Sequence, residues 1–145
     1  GEIIDFEHEM TDRKRLIVID QDEMNRALFK GLLHERYKVE TASSIEEAFI
    51  DAALNSPDLI LLDLDGADGN HAESVKYIKE SPLTRGVEVL VMTSNRSTTA
   101  IIQAFNHGAS DYILKSDFTK QILIGKIERA FGRTPVVKKA VSAID

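Results

Sequence analysis

The sequence predicts an α/β fold: a doubly wound, five-stranded parallel sheet with helices on both faces. Three observations carry this expectation. Short apolar, β-branched runs recur along the chain, helical periodicity fills the intervals between them, and 145 residues suit one compact domain with short tails. Strands that alternate with helices run parallel, because parallel neighbours need right-handed crossovers.

Leu16-Ile17-Val18-Ile19 has the composition of a strand buried on both faces. From Asp22 to Arg36, Leu28, Leu32 and Leu33 recur at helical spacing. Lys38 to Thr41 is a weaker strand. Ser43 and Ser44 precede Glu46 and Glu47 by three, a capping-box pattern that opens a helix with Ile45, Ala48, Phe49 and Ala52 inward. Pro57 announces the strand Leu59 to Leu62. A helix from about Ala72 to Glu80 ends at Ser81-Pro82. Val87 to Met92 is the next strand, and Ser97 is the expected cap of a helix through Phe105 that stops at Gly108. Tyr112-Ile113-Leu114 is the last strand. Asp117 is the expected cap of the closing helix, with Phe118, Ile122, Ile127 and Phe131 along one side. Gly31 and Gly125 fall inside helices at a cost of about 1 kcal/mol each against Ala, which points to close helix–sheet approach.

The composition excludes several function classes. The chain has no cysteine, so disulfides, thiolate metal sites and thiol nucleophiles are ruled out. Its 18 basic and 24 acidic residues give a net charge of −6, which argues against direct nucleic-acid binding. No apolar run approaches the roughly 18 residues of a membrane span, so no membrane partner is expected. No secretory leader is visible, and the expected location is the cytoplasm. Residues 1–12 carry five acids and no Lys or Arg, so residues 1–13 read as a flexible acidic arm or linker. Residues 14–132 form the domain. Residues 133–145 lose periodicity around Pro135 and read as a tail or linker.

In doubly wound sheets, ligands bind outside the carboxyl ends of the strands. The residues there are Asp20-Gln21-Asp22, Asp63-Leu64-Asp65, Thr93-Ser94 and Lys115-Ser116. Gathered carboxylates repel unless a hard cation binds them, and Mg²⁺ favours one or two carboxylates with waters and phosphate oxygens. A nucleophilic carboxylate accepts a phosphoryl group as an acyl phosphate, and a lysine and a hydroxyl hold the transferred oxygens. Asp63 is the candidate nucleophile, Asp20 and Asp63 the cation site, and Thr93 and Lys115 the phosphoryl contacts. For Asp20 and Asp22 the plain alternative is helix capping. For Lys115 it is a solvated surface lysine, for Thr93 a turn residue, and for Tyr112 half-buried packing. His8, His34, His71 and His107 show no ligand spacing and read as surface residues. Of the adjacent Ile101 and Ile102, one is expected to face outward, a hint of a partner surface on the fourth helix.

Residues 14–131 resemble the receiver domain of two-component response regulators. The segments LIVIDQDEMNR, SPDLILLDLDG, VLVMTSN and GASDYILKS stand in that family's order, near its spacing. The resemblance implies a flavodoxin-like (βα)5 sheet of order 2-1-3-4-5, with Asp63 accepting phosphoryl from a histidine kinase or phosphotransfer protein and Mg²⁺ as cofactor. It implies Thr93 and Tyr112 as a switch pair, the backbone carbonyl of Asp65 as a metal ligand, and output through the fourth-helix, fifth-strand and fifth-helix face to a downstream protein or a second copy. It also implies a signalling domain and not a turnover enzyme.

The departures cluster at the site. Gln21 stands where the family has a second acid and offers a neutral carbonyl as a weak metal ligand in its place, which weakens the expected Mg²⁺ binding. Ala67 and Ser116 replace prolines, and a cis bond to Ser116 would cost about 3–4 kcal/mol, so a trans loop is expected. The Asp65 carboxylate either replaces the missing acid or repels incoming phosphoryl. These departures keep open a second reading, a degenerate receiver that signals by protein contact. A third, remote reading is a haloacid-dehalogenase-like phosphatase, because Leu61-Leu62-Asp63-Leu64-Asp65-Gly66 resembles that family's nucleophile strand, with Asp65 as general acid. There, however, the strand comes first and Thr follows the Gly, whereas here the strand is third and Ala67 follows.

Overall fold

The computed structural model describes residues 13–66, 72–94 and 98–133. Strands β1 (Arg15–Ile19), β2 (Lys38–Ala42), β3 (Leu59–Asp63), β4 (Glu88–Thr93) and β5 (Asp111–Leu114) alternate with helices α1 (Glu23–Leu33), α2 (Ile45–Leu54), α3 (Glu73–Glu80), α4 (Thr98–Asn106) and α5 (Lys120–Ala130). The strands form one parallel sheet of order β2-β1-β3-β4-β5, as expected.

Alternation along the central strands divides the core in two, because successive side chains leave a strand on opposite faces. Ile17, Ile19, Ile60, Leu62, Val89 and Val91 pack with Ala48 and Ala52 of α2, Val75 and Ile78 of α3, and Ala104 of α4. Leu16, Val18, Leu59, Leu61, Leu90, Met92 and Ile113 pack on the other face with Phe29 and Leu33 of α1 and Leu123 and Ile127 of α5. Every residue of β3 is buried, as a central strand covered on both sides requires. The strand order reverses between β1 and β3, and that reversal opens the crevice in which the site lies.

Five details differ from the sequence expectation. The buried face of α1 is Phe29 and Leu33, whereas Leu28 is half exposed. Neighbouring positions on a helix lie about 100° apart, so the two leucine-rich faces compete, and Phe29 wins by stacking on Phe118 at 5.5 Å. In α5 the cap is Thr119, not Asp117: its hydroxyl accepts from the Ile122 N–H at 3.1 Å. The inward stripe of α5 is accordingly Leu123 and Ile127, and Ile122 faces solvent. Around Gly31 a Cβ would meet nothing within 4 Å, so no close helix–sheet approach explains that glycine. His107 is half-buried, while His34 is exposed as expected.

The capping pattern of α2 is present, with Ser44 accepting from Glu47 N–H and Glu47 reaching back to Ser43. Gly108 ends α4 in the left-handed region at φ 113°, a conformation glycine adopts without penalty. Ile102 faces outward and Ile101 is half-buried. The expected acidic arm, the tail beyond Arg133, Ala67, His8, His71 and the Ser97 cap lie outside the described residues.

Candidate functional site

Backbone pairing runs one residue past the strands and sets the rim. Asp20 N–H donates to Ala42 carbonyl at 3.0 Å, Leu64 N–H to Met92 at 2.8 Å, and Lys115 N–H to Thr93 at 2.9 Å. Asp20, Asp63, Thr93 and Lys115 are thereby brought to the carboxyl end of the sheet, astride the β1/β3 reversal. Lys115 Nζ lies 2.6 Å from Asp63 Oδ1, 3.2 Å from Asp20 Oδ2 and 3.5 Å from Asp65 Oδ2. Three carboxylates therefore converge on one ammonium. A cleft of about 250 Å³ opens beside them, lined by Asp20, Gln21, Ser44, Glu46, Asp63 and Asp65 among others.

The first acidic cluster separates into two roles. Asp22 is the helix cap: its carboxylate accepts from Met24 N–H at 2.8 Å and Asn25 N–H at 3.4 Å. Asp20 does not cap α1. Its Oδ1 accepts from Asp22 N–H at 2.9 Å, while Oδ2 is buried with no well-directed hydrogen bond and faces the Lys115 ammonium at 3.2 Å. A buried carboxylate oxygen of this kind is costly unless a cation completes it. Two carboxylates, Asp20 and Asp63, at one rim are donors of the kind Mg²⁺ takes, with its remaining positions left to neutral oxygens such as carbonyls and waters. No group of three or more His, Cys, Asp or Glu among the described residues has the geometry to hold a metal by itself. Gln21 lies exposed at the edge of the cleft. Its carbonyl and that of Asp20 accept from Arg26 at 3.0 and 2.7 Å, which fixes the loop after β1.

Burial pushes the Asp63 carboxyl up to about 6, aided by the neighbouring Asp20 charge and opposed by Lys115 and the Asp65 N–H, which donates to Asp63 Oδ1 at 3.0 Å. Burial alone would push the Lys115 ammonium down. Its hydrogen bond to Asp63 and the charges of Asp63 and Asp20 outweigh that and hold it above the usual lysine range.

The Asp65 carboxylate makes contacts that the sequence did not indicate. Its Oδ1 accepts from the Thr93 hydroxyl at 3.2 Å, and its Oδ2 accepts from the Ser94 backbone N–H at 2.9 Å. Burial pushes this carboxyl up, but the bonds from Ser94, the Lys115 charge and the Thr93 bond together hold it below the usual range. A carboxylate engaged by the Thr93 hydroxyl and the Ser94 N–H is a poor proton donor, which weighs against the phosphatase reading. Sequence reasoning missed the Ser94 N–H as a site donor, and its place directly after Thr93 was the available signal.

Tyr112 stands further out on β5. Its ring meets Phe105 edge-on at 6.3 Å, and Lys126 Nζ lies 4.4 Å over its face. Its half-buried position joins β5 to α4 and α5. No described peptide bond is cis, so Lys115–Ser116 is trans, as the sequence led us to expect.

Comparison with known proteins agrees with this geometry. The family described as the response regulator receiver domain matches residues 16–128. Response regulator PleD of Caulobacter vibrioides is 36% identical over 104 residues, covering 70% of this chain and 22% of that protein. The KDP operon transcriptional regulatory protein KdpE of Escherichia coli is 31% identical over 100 residues, covering 69% of this chain and 43% of KdpE. The chain thus spans less than half the length of either. A two-component response regulator from Clostridium difficile superposes with a TM-score of 0.73 at 29% identity, covering 83% of this chain and 98% of that one. A response regulator structure from Chloroflexus aurantiacus gives 0.75 at 27%, covering 84% and 100%. Chemotaxis protein CheY4 of Vibrio cholerae, at 22% identity and a TM-score of 0.74 over 81% of this chain and 98% of its own, shares the fold. With its 2-1-3-4-5 sheet and a family match across nearly all the described residues, the chain belongs to the response regulator receiver domains, signalling modules of two-component systems.

Proposed function

We propose that this domain is a phosphoacceptor switch in which Asp63 takes a phosphoryl group from a phosphohistidine of a histidine kinase or phosphotransfer protein. The observation that carries the reading is Lys115 Nζ placed 2.6 Å from Asp63 Oδ1 at the carboxyl end of β3, with Thr93 at the end of β4 beside it. An Asp63 oxygen attacks phosphorus, the P–N bond breaks, and the imidazole nitrogen leaves with the bonding pair. The acyl phosphate remains on Asp63. Lys115 neutralises the nucleophile's second oxygen and the incoming charge, and Thr93 offers a hydroxyl to the transferred group. Asp20, Asp63 and the Asp65 carbonyl are the residues that would hold Mg²⁺, with Gln21 a neutral neighbour. When bound, the ion supplies charge neutralisation for phosphoryl transfer. A kinase donor places the reaction in the cytoplasm.

Output is assigned to the face of α4, β5 and α5. Ile102 and Phe105 expose apolar surface there, and Phe105 touches Tyr112, the proposed partner of Thr93 in switching. A downstream protein or a second copy of the chain would read that face. No described helix is long and apolar enough to cross a membrane.

Incubation with a small-molecule phosphodonor and Mg²⁺, followed by intact mass measurement, tests the reading. One phosphoryl mass gain that disappears in Asp63→Asn supports it. No gain at any Mg²⁺ concentration replaces it with the second reading, a degenerate receiver that acts by contact alone. Gln21 and the engaged Asp65 carboxylate are the features that favour that alternative.

A further inference from the structure

A phosphoryl group on Asp63 would present three oxygens that need donors. The donors within reach at the ends of β4 and β5 are the Thr93 hydroxyl, the Ser94 N–H and the Lys115 ammonium. All three already face one anion, the Asp65 side chain, at 3.2, 2.9 and 3.5 Å. The Asp65 N–H meanwhile donates to Asp63 Oδ1, so the same residue grips the acceptor with its backbone and the pocket with its side chain.

We propose that the Asp65 carboxylate is a built-in occupant of the phosphoryl-holding donors, keeping Thr93 and Ser94 in an anion-engaged arrangement before any phosphorylation and competing with the phosphoryl group for them. The competition rests on the phosphoacceptor reading above; the occupancy does not. The Asp65 side chain is about one-third exposed, so it stands at the mouth of the pocket and can rotate outward without disturbing the core. An attached phosphoryl carries about −1.5 to −2 charge and three acceptor oxygens, against one charge and two oxygens for the carboxylate, so it would displace Asp65 once formed. The arriving group must approach an ionised carboxylate first, which slows acceptance. The unmodified chain, for its part, already has its Thr93 hydroxyl engaged by an anion.

The test uses the unmodified domain, Asp65→Ala and Asp65→Asn, all labelled with ¹⁵N. The Ser94 amide proton, bonded to a carboxylate, is expected downfield in the parent and upfield in Asp65→Ala. Asp65→Asn, which keeps an acceptor oxygen but loses the charge, should fall between them. The remaining amide signals report whether each variant is folded. Phosphoryl uptake from a small-molecule donor, read by intact mass, should be roughly tenfold faster in both variants, the change that about 1.4 kcal/mol makes. A Ser94 amide that stays in place in Asp65→Ala overturns the occupancy, whatever happens to phosphorylation. A shifted amide with equal uptake rates overturns the competition. A shifted amide with no uptake in any of the three proteins upholds the occupancy and instead refutes the phosphoacceptor reading.

Discussion

The Tyr37 hydroxyl donates to Glu128 Oε2 at 2.7 Å, joining residues 91 positions apart in sequence at the end of the sheet remote from the acidic rim. Glu128 is 8% exposed and also accepts from Arg133 at 2.8 Å, with Arg36 at 3.8 Å. Burial pushes the Glu128 carboxyl up, but the Tyr37 bond and the two arginines outweigh it and leave the carboxyl below its ordinary range. Burial and the same bond push the Tyr37 phenol above its ordinary 10.

Tyr37→Phe should therefore cost about 1.5–3 kcal/mol, the range for a hydrogen bond to a charged group, read as a lower denaturation midpoint at pH 7. The pH dependence has a definite sign. Glu128 contributes stability above the unfolded carboxylate pKa, and that contribution is lost as pH falls through its lower folded value. Tyr37 contributes stability below pH 10, lost as pH rises above it, because the folded state holds the phenolic proton more tightly. The variant should lack this alkaline loss. An unchanged midpoint would mean that the arginines alone satisfy Glu128.

Gly31→Ala should stabilise the domain. The position is exposed within α1, has no positive φ, and offers open space to a Cβ. Removing backbone freedom from the unfolded chain is worth about 0.5–1 kcal/mol at such a site, a rise of a few degrees in Tm. A fall in Tm would show that a Cβ at this position costs the folded domain more than it takes from the unfolded chain.

Asp63→Asn should change stability in a pH-dependent way in the absence of metal. The Asp63 carboxyl is raised from 3.8 to about 6 on folding, so the folded state binds its proton more tightly than the unfolded state does. The penalty for the ionised form is absent below about pH 4, grows between pH 4 and 6, and is complete above pH 6. The stability gained in Asp63→Asn should follow that window, small at pH 4 and largest at pH 7 and above. Saturating Mg²⁺ should reverse the order at pH 7, because only the carboxylate binds the ion. Urea unfolding of both proteins at several pH values checks this. A gain that is constant with pH would show that burial leaves Asp63 unperturbed.

Much of this was legible in the sequence, for physical reasons that also mark where legibility stopped. Strands β1 and β3 announced themselves because burial on both faces leaves room only for apolar residues. Asp20, Asp63, Thr93 and Lys115 were legible because each directly follows such a run, and a parallel sheet gathers those ends on one rim. The register of α1 was not: Leu28 and Phe29 are both apolar, and the choice is made by tertiary packing, in which Phe29 joins the core beside Leu33 and stacks on the Phe118 ring. That ring also lies between Asp117 and Thr119, two acceptable caps, and the helix starts after the second. The Asp65 side chain was the least legible. Its direction is set by the Ser94 N–H, 29 residues away, and no local pattern encodes that bond.

Gln21→Asp should tighten Mg²⁺ binding and lower metal-free stability. In the present chain the cation site has Asp20 Oδ2 with no well-directed hydrogen bond, Asp63 beside it, and an exposed neutral Gln21 at the cleft edge. Arg26 neutralises part of this region by holding the carbonyls of Asp20 and Gln21, a grip that leaves side chain 21 unbonded to it. A carboxylate at 21 adds a charged ligand on the open side of the cleft. Even about 1.4 kcal/mol of added attraction tightens binding tenfold, and a direct ligand to a divalent ion should give at least that. Without metal, the same charge faces Asp20 and Asp63 with Lys115 already shared among three carboxylates, so repulsion should lower the midpoint. Mg²⁺ titrations and melting curves of both proteins, with and without the ion, read the two effects separately. Equal affinity in the two proteins would mean that Asp65 turns back from Thr93 and Ser94 to supply the missing charge, and the Ser94 amide would then move on Mg²⁺ addition.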